Sequence, residues 1–272
     1  MGEDALEELH WAAEFKSPRE VASLIAEVDD VDAMDEERTA LWRAVHAGRH
    51  ENVQVLLAAG ADPARPMMFG WSPARLSLVT GHPLPTTEVL TSEERAAVEE
   101  RDRLVAALGG IPRDDGYSLA CVAGVDAETA ARRLEAEPVE VTEQVWTWDA
   151  DLAVVGVTTV PGGCVVMQPK GYTAVRVGGR LSAGTVAFGM YANPKGGNHG
   201  EIWRDGDCEA SDLNTGGGVD LEDNAADVLL AHLHQDEPVA YCLAFAGLRP
   251  TDARAFTAPD LWLRLPGHVV NG

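Results

Sequence analysis

The sequence predicts a multidomain protein in which an α-helical solenoid of tandem repeats precedes an α+β domain with an antiparallel sheet. A motif of about 33 residues recurs within the first ninety residues, and β-branched, alternating segments separated by turn residues follow Pro138. The length of 272 residues also exceeds that of a typical single domain. We therefore expect repeats with a C-terminal capping helix over 1–110, a linker over 111–116 and the second domain over 117–272.

The repeat is clearest in the middle of this region. Thr39–Val45 reads TALWRAV, and 33 residues later Ser72–Leu78 reads SPARLSL. An earlier unit at Leu9–Ala13 matches at an offset of 32 residues. A hydroxyl at Thr39 or Ser72 can cap the first helix of its unit by accepting a hydrogen bond from a free backbone N–H. Each unit has an apolar face that it cannot bury alone, so the units are expected to stack.

These residues resemble the ankyrin repeat, whose pattern is T-P-L-H-x-A-A-x-x-G, then a V-x-x-L-L helix, then G-A-D. The middle unit ends in such a helix followed by Gly60-Ala61-Asp62. The resemblance covers about residues 5–90 and implies an ankyrin-repeat solenoid that binds a protein partner. The chain departs from the pattern at Trp42 and Arg75, which stand at the usual His, and at Glu37, which stands at the usual turn Gly.

The second half reads as an antiparallel meander with helices on one face. Strands are predicted over 139–148, 152–160, 164–168, 173–177, 185–191 and 201–207, and helices over 126–135, 224–233 and 237–246. Tyr117–Val125, Gly162–Gly171 and Leu181–Asn193 resemble segments of a bacterial α+β domain of unknown function, over about 117–272. This resemblance implies a fold but no activity.

Charge and cysteine usage narrow the classes of function. With 44 acidic and 21 basic residues, the formal net charge is −23, which disfavours binding to nucleic acids and to anionic membranes. No apolar run approaches the length needed to span a bilayer, and the first residues lack the basic region of a secretory signal. The four cysteines show no paired spacing. We therefore expect an acidic cytoplasmic protein with reduced thiols.

No catalytic motif is complete. The one candidate for a catalytic residue is His199. It lies with Lys195 and Glu201 in a predicted Gly-rich loop over 193–201. An ordinary long hairpin loop is the favoured explanation of these residues, because no other motif supports a catalytic site. Trp146 and Trp148 are expected on one face of a strand, either as core residues or as a ligand platform. We expect no cofactor and no metal, and we favour a non-catalytic protein.

The ankyrin resemblance implies binding through hairpin tips and the exposed side of the first helices. In this chain those positions are Glu14, Phe15, Asp35, Glu36, Arg38, His46, Met68, Phe69 and Trp71. The apolar residues among 68–71 are predicted either to contact a partner or to pack against the capping helix or the second domain. Residues 1–50 contain 13 acidic and 5 basic residues, a balance that would attract a basic partner.

Three hypotheses for function follow from these observations. The first is a non-catalytic interaction protein whose repeats bind another protein. The second is an immunity-type protein that neutralises a basic toxin or nuclease, and the third is a small-molecule enzyme that uses the 193–201 loop with His199 as acid or base. The sequence leaves the oligomeric state open.

Overall fold

A computed structural model describes residues 2–109, 111, 116–147, 151–193, 195, 197–215, 219 and 223–270. The chain divides into two compact units. The first comprises Met1–Glu99 and Gly218–Gln235, and the second comprises Glu100–Gly217 and Asp236–Gly272. Within the described ranges, no helix is both long and apolar enough to cross a membrane.

Helices and strands are numbered here in chain order. The helices are α1 (Gly2–Phe15), α2 (Pro18–Ile25), α3 (Ala40–His46), α4 (His50–Ala58), α5 (Pro73–Ser77), α6 (Ser92–Ala107), α7 (Ala127–Arg133), α8 (Thr173–Arg176), α9 (Gly178–Leu181), α10 (Ala225–Leu233), α11 (Pro238–Phe245), α12 (Arg254–Thr257) and α13 (Gly267–Val270). The strands are β1 (Ser118–Ala123), β2 (Glu137–Pro138), β3 (Val154–Val160), β4 (Gly163–Gln168), β5 (Val186–Asn193), β6 (Gly197–Arg204), β7 (Asp207–Asn214) and β8 (Leu261–Arg264). Short 3₁₀ turns lie at Met68–Gly70 and Glu143–Trp146.

The first unit contains helical hairpins in the order that the repeat predicts. Helix α1 contacts α2 and α3, α3 contacts α4 and α5, and α2 contacts α4. The predicted caps of α3 and α5 are confirmed, because Thr39 Oγ1 accepts from Trp42 N–H at 3.2 Å and Ser72 Oγ accepts from Arg75 N–H at 3.0 Å. Gly48, between the helices of the middle hairpin, has a φ of +64°, a conformation that side-chain-bearing residues rarely adopt.

Helix α10 is also part of the first unit. Its side chains Val228, Leu229 and Leu233 join the same buried cluster as the helices of the hairpins. Asn224 caps the start of this helix. Its side-chain oxygen accepts hydrogen bonds from the backbone N–H groups of Ala226 and Asp227. A segment distant in sequence therefore completes the core of the hairpins.

The second unit is built on one eight-stranded antiparallel sheet with the order β2-β8-β3-β4-β1-β5-β6-β7. Strand β1 lies between β4 and β5 and is buried along its length. Leu119 and Cys121 belong to one buried cluster, and Ala120 and Val122 belong to another. Because successive side chains of a strand point to opposite faces, both faces of this sheet are covered.

The structure corrects several predictions for this half. Helices pack on both faces of the sheet: α11 and α12 join the cluster of Leu119, whereas α7, α8 and α9 join that of Ala120. Residues 173–177, predicted as a strand, instead contain helix α8, and the described part of 139–148 contains a 3₁₀ turn over Glu143–Trp146 and no strand. The strand order is a meander only along β3-β4 and β5-β6-β7, because β1 and β8 insert between consecutive strands.

Candidate partner-binding surface

A two-residue turn at Asp35–Arg38 precedes α3, and we call it the first tip. Asp35 N–H donates to Arg38 O at 2.9 Å, and Arg38 N–H donates to Asp35 O at 3.0 Å. The two residues between them, Glu36 and Glu37, have φ angles of +47° and +60°. Turns of this kind favour Asn and Gly, since an L residue in the left-handed region costs about 1–2 kcal/mol. The tip therefore presents two carboxylates on a strained backbone.

Arg43, on α3, holds the acidic side chains of this region together. Its Nη2 lies 2.8 Å from Asp35 Oδ2 and 3.3 Å from Glu36 Oε2, and its Nη1 lies 3.9 Å from Glu14 Oε2. The Arg38 guanidinium also contacts Glu36. Burial raises the pKa of the Glu14 carboxyl, and Arg43 opposes that shift. Three of the residues predicted from the sequence, Glu14, Asp35 and Glu36, thus lie around one arginine.

A second turn, at Met67–Gly70, precedes α5 and exposes an aromatic ring, and we call it the second tip. Gly70 N–H donates to Met67 O at 2.8 Å, closing a turn in which Met68 and Phe69 have φ angles of +30° and +60°. Phe69 is 52% exposed, whereas Met68 is buried. A bulky residue in the left-handed region is uncommon, and such strain is often retained at functional sites.

A shallow groove of about 310 Å³ connects the two tips. Its lining includes Met34, which is 43% exposed, together with Glu37, Pro66 and Phe69. Exposed Met and aromatic side chains are typical of the centres of protein interfaces. We name Met34, Glu36, Glu37 and Phe69 the tip surface.

His46 does not contribute to an exposed surface. Its ring stacks on Trp42 with centroids 4.9 Å apart, and its Nδ1 accepts a hydrogen bond from Gln235 Nε2 at 2.8 Å. The His232 Nδ1–H donates to the backbone oxygen of His46 at 3.1 Å. Burial lowers the pKa of His46 well below its usual range, and the neighbouring His232 lowers it further. The imidazole is accordingly neutral at pH 7 and part of the packing between α3 and α10.

Trp71 is buried in the same way. Its Nε1–H donates to Ala225 O at 2.9 Å, and its own backbone oxygen accepts from Trp42 Nε1–H at 3.0 Å. The guanidinium carbon of Arg75 lies 4.7 Å from the centre of the Trp71 ring. Packing, one of the two alternatives for this apolar segment, therefore accounts for Trp71, and its packing partner is α10 of the same unit.

The nine residues predicted for partner binding fall into three groups by exposure. Phe15, Glu36 and Phe69 are exposed; Glu14, Asp35 and Arg38 are partly exposed; and His46, Met68 and Trp71 are buried. Burial of the last group corrects the expectation that these side chains are available at the surface. The physical reason is that Val219 and α10, which lie far along the chain, pack over α3 and the second tip.

Two of the exposed apolar residues missing from the sequence-based set lie next to its members. Met34 precedes the first tip, and Trp11 is 51% exposed on α1. Trp11 occupies the variable x position of the T-P-L-H-x-A-A pattern, the position that Arg43 holds in the middle unit. An aromatic residue at that variable position was the signal that could have identified it.

The strain at the first tip gives a testable prediction for Glu37. We expect Glu37→Gly to raise the free energy of unfolding by about 0.5–1 kcal/mol, because glycine tolerates a φ of +60° and this gain exceeds its entropic cost. Urea denaturation followed by circular dichroism measures the change. Glu37→Ala is the matched control, since it removes the charge and keeps the strain. An equal gain in both variants would assign the effect to charge repulsion between the carboxylates.

In the second unit, His199 lies within a strand and not in a loop. It belongs to β6 and pairs with Tyr191 of β5 and Asn214 of β7. A small pocket of about 60 Å³ lies elsewhere in this unit and is lined by Ile111, Tyr117, Trp146, Met167, Pro169, Lys170 and Phe256, without His199. The predicted 193–201 loop is therefore mostly β structure, with β6 beginning at Gly197.

Trp146 packs edge-on against another tryptophan of the second unit. The ring centroids of Trp146 and Trp262 are 5.9 Å apart, with the planes at 90°. Trp146 lies in a 3₁₀ turn, so the expected pairing of two tryptophans on one strand face is wrong for this residue. Trp148 lies outside the described residues.

Comparison with known proteins bears on the hairpins of the first unit. A family model described as the ankyrin repeat matches residues 36–66. The matched stretch begins at the first tip, includes α3 and α4, and ends at Pro66 beside the second tip. No match to this chain was found among curated proteins. The chain therefore contains an ankyrin-repeat element, a type of module that generally mediates protein–protein interaction.

Proposed function

We propose that this protein is a non-catalytic interaction protein that binds a protein partner through its tip surface. The observation that carries the proposal is Phe69, which is 52% exposed on a backbone with a φ of +60°. Neither the exposure nor the strain stabilises the fold, so a role in binding accounts for both. Met34 extends the same apolar area across the groove.

We further propose that the partner carries a basic surface. Glu36 and Glu37 flank the apolar centre of the tip surface, and residues 1–50 contain 13 acidic and 5 basic residues. Opposite charges around an apolar centre accelerate encounter, and this acceleration weakens as salt screens it. Neutralisation of a basic toxin is one biological setting in which such an acidic surface would act.

The test is capture of partners from the source cells by the immobilised full-length protein. We expect Phe69→Ala to reduce recovery of the bound partner at least tenfold, because truncating a central aromatic anchor costs about 2 kcal/mol or more. Glu36→Lys combined with Glu37→Lys is expected to reduce the association rate of the purified partner and the dependence of that rate on salt. Surface plasmon resonance measures both quantities once the partner is purified.

Val89→Ala is the matched control for these variants. Val89 is an apolar side chain of the first unit that is 77% exposed and lies outside the tip surface. Its truncation is expected to leave recovery unchanged. Equal recovery of the same partner by the wild type, Phe69→Ala and the double lysine variant would contradict the proposal.

For the domain organisation of the chain, we propose the division that the sequence motifs indicate. Three ankyrin-like units with a capping helix occupy residues 1–110, and a bacterial α+β domain of unknown function occupies 117–272, apart from α10, which packs with the hairpins. The eight-stranded antiparallel sheet is compatible with the second assignment. The four cysteines are free thiols, which supports a cytoplasmic location.

A further inference from the structure

Helix α1 exposes a second aromatic cluster that the proposed function does not use. Trp11 and Phe15 are 51% and 57% exposed, and their ring centroids lie 5.8 Å apart. The Lys16 ammonium lies 4.6 Å from the centre of the Trp11 ring. Trp and Phe are costly to leave in water and are enriched in the centres of protein interfaces.

The aromatic cluster borders a groove between α1 and α2. The groove has a volume of about 740 Å³ and is lined by Glu8, Trp11, Ala12, Lys16, Ser17, Arg19, Glu20, Ser23 and Leu24. Ser17 and Glu20 form the capping box that begins α2, so they hold one wall of the groove in place. The groove is therefore a preformed surface with an apolar floor and charged sides.

The charges on this surface follow a simple order along α1. Asp4, Glu7 and Glu8 lie on its N-terminal half, and Lys16 and Arg19 lie just beyond its C-terminal end, where Glu20 Oε1 lies 3.9 Å from Lys16 Nζ. With 14 residues at about 1.5 Å per residue, the helix is about 21 Å long. This length exceeds the screening distance of about 8 Å at physiological salt, so the acidic N-terminal region acts separately from the more basic region around Lys16 and Arg19.

The acidic region, the aromatic cluster and the basic region share one side of the helix. Asp4, Glu8, Trp11 and Phe15 are separated by four, three and four residues, a spacing that places them on a single face. The position of the Lys16 ammonium over the Trp11 ring brings the positive charge to that same face. We name Asp4, Glu8, Trp11, Phe15, Lys16 and Arg19 the α1 face.

We propose that the α1 face binds the α1 face of a second copy of this chain, with the two helices antiparallel across a twofold axis. Position 12 lies midway between Glu8 and Lys16 along α1, so a twofold axis that crosses the helix at this level sets Glu8 of each copy against Lys16 of the other. The same axis brings Asp4 towards Arg19 and stacks the aromatic clusters together. A parallel arrangement would oppose like charges, whereas the antiparallel one pairs opposite charges twice.

The dimer is expected to be weak. Each chain carries a net charge of −23, and the repulsion between two such chains opposes the local attraction. The contact involves mainly two short helices on each side, which places it at the small end of specific interfaces. Association in the micromolar range is the expected result, with self-assembly governed by protein concentration.

Sedimentation equilibrium of the full chain at about 0.15 M salt, where remote charges are screened, tests this proposal. We expect a monomer–dimer equilibrium whose dissociation constant rises at least tenfold in the Trp11→Ala/Phe15→Ala double variant. Glu8→Lys and Lys16→Glu are each expected to weaken the dimer. Combining these two charge reversals in one chain restores the pairing across the axis and is expected to recover dimerisation.

Controls separate the interface from the fold and from the tip surface. All four altered positions are at least partly exposed, so circular dichroism and the unfolding midpoint are expected to stay near the wild-type values. Phe69→Ala leaves the α1 face intact and should dimerise as the wild type does. A chain that stays monomeric at all concentrations would overturn the proposal, and so would a dimer that is insensitive to these variants. Failure of the combined charge reversal to restore a dimer weakened by each single reversal would equally overturn the antiparallel arrangement.

Discussion

Replacing Trp71 with alanine is expected to destabilise the first unit by about 3–5 kcal/mol, the range for removing a large aromatic side chain from a packed core. Trp71 is 1% exposed and belongs to the cluster that includes α3, α5 and α10. Its loss also leaves Ala225 O without the hydrogen bond from Nε1–H. Because Ala225 is exposed, water can replace this hydrogen bond, and most of the expected cost comes from the lost packing of the ring.

Urea denaturation followed by circular dichroism measures this loss of stability. Two further variants separate the contribution of the hydrogen bond from that of the buried ring. Trp71→Phe keeps most of the ring volume but removes the hydrogen-bond donor, so it should cost about 1–2 kcal/mol. Trp11→Ala removes a tryptophan from the surface of the same unit and should change stability by only about 0.5 kcal/mol. If Trp71→Ala were no more destabilising than Trp11→Ala, the packing of α10 on the hairpins would be wrong.

The difference in burial between Trp71 and Phe69 also affects how binding experiments are interpreted. Trp71 and Phe69 are two residues apart, and from the sequence both were candidates for the same surface. A Trp71→Ala variant that no longer binds a partner would report the loss of the core. Phe69 is exposed, and its truncation reports the surface alone.

The local signals in the sequence were sufficient to predict the hairpins. The caps at Thr39 and Ser72 each depend on a residue three positions away, and the structure contains both. Glu37 stands where the repeat pattern has its turn glycine, and the structure gives it a φ of +60°, a conformation that glycine adopts without strain. The family match over residues 36–66 confirms the repeat element itself.

The parts that sequence analysis missed depend on contacts between distant residues. Helix α10 was predicted as a helix, but the pattern of its residues does not encode that it packs against His46 and Trp71. As a result, the exposed set could not be separated from the buried set. Within the candidate surface, Phe69 and Trp71 have similar apolar character, and only the distant segment buries one of them.

Short apolar segments were ambiguous for a different reason. Residues 173–177 are rich in β-branched side chains, yet a run of five residues fits a helical turn as well as a strand. Strand β1 lies at the centre of the sheet and is covered on both faces, so its residues do not alternate between polar and apolar. Its position between β4 and β5 depends on pairings that are far apart along the chain.

The close approach of β1 and β4 is expected to make Gly163→Ala strongly destabilising, by about 3 kcal/mol or more, as for other substitutions that overpack a core. Gly163 pairs with Ala123 across these strands. A Cβ atom at Gly163 would lie 2.0 Å from Val122 O and 3.1 Å from the backbone nitrogen of Gly124. Both contacts are with backbone atoms, so no side-chain rotation relieves them and the strands must separate.

Gly267→Ala is the matched control for this substitution in the second unit. A Cβ atom at Gly267 would meet no atom within 4 Å among the described residues, and the residue lies in a helix, so alanine should be neutral or slightly stabilising. Urea denaturation of the two variants is expected to show a large fall in midpoint for Gly163→Ala alone. Equal midpoints would contradict the register in which Gly163 faces Ala123, and with it the central position of β1 in the sheet.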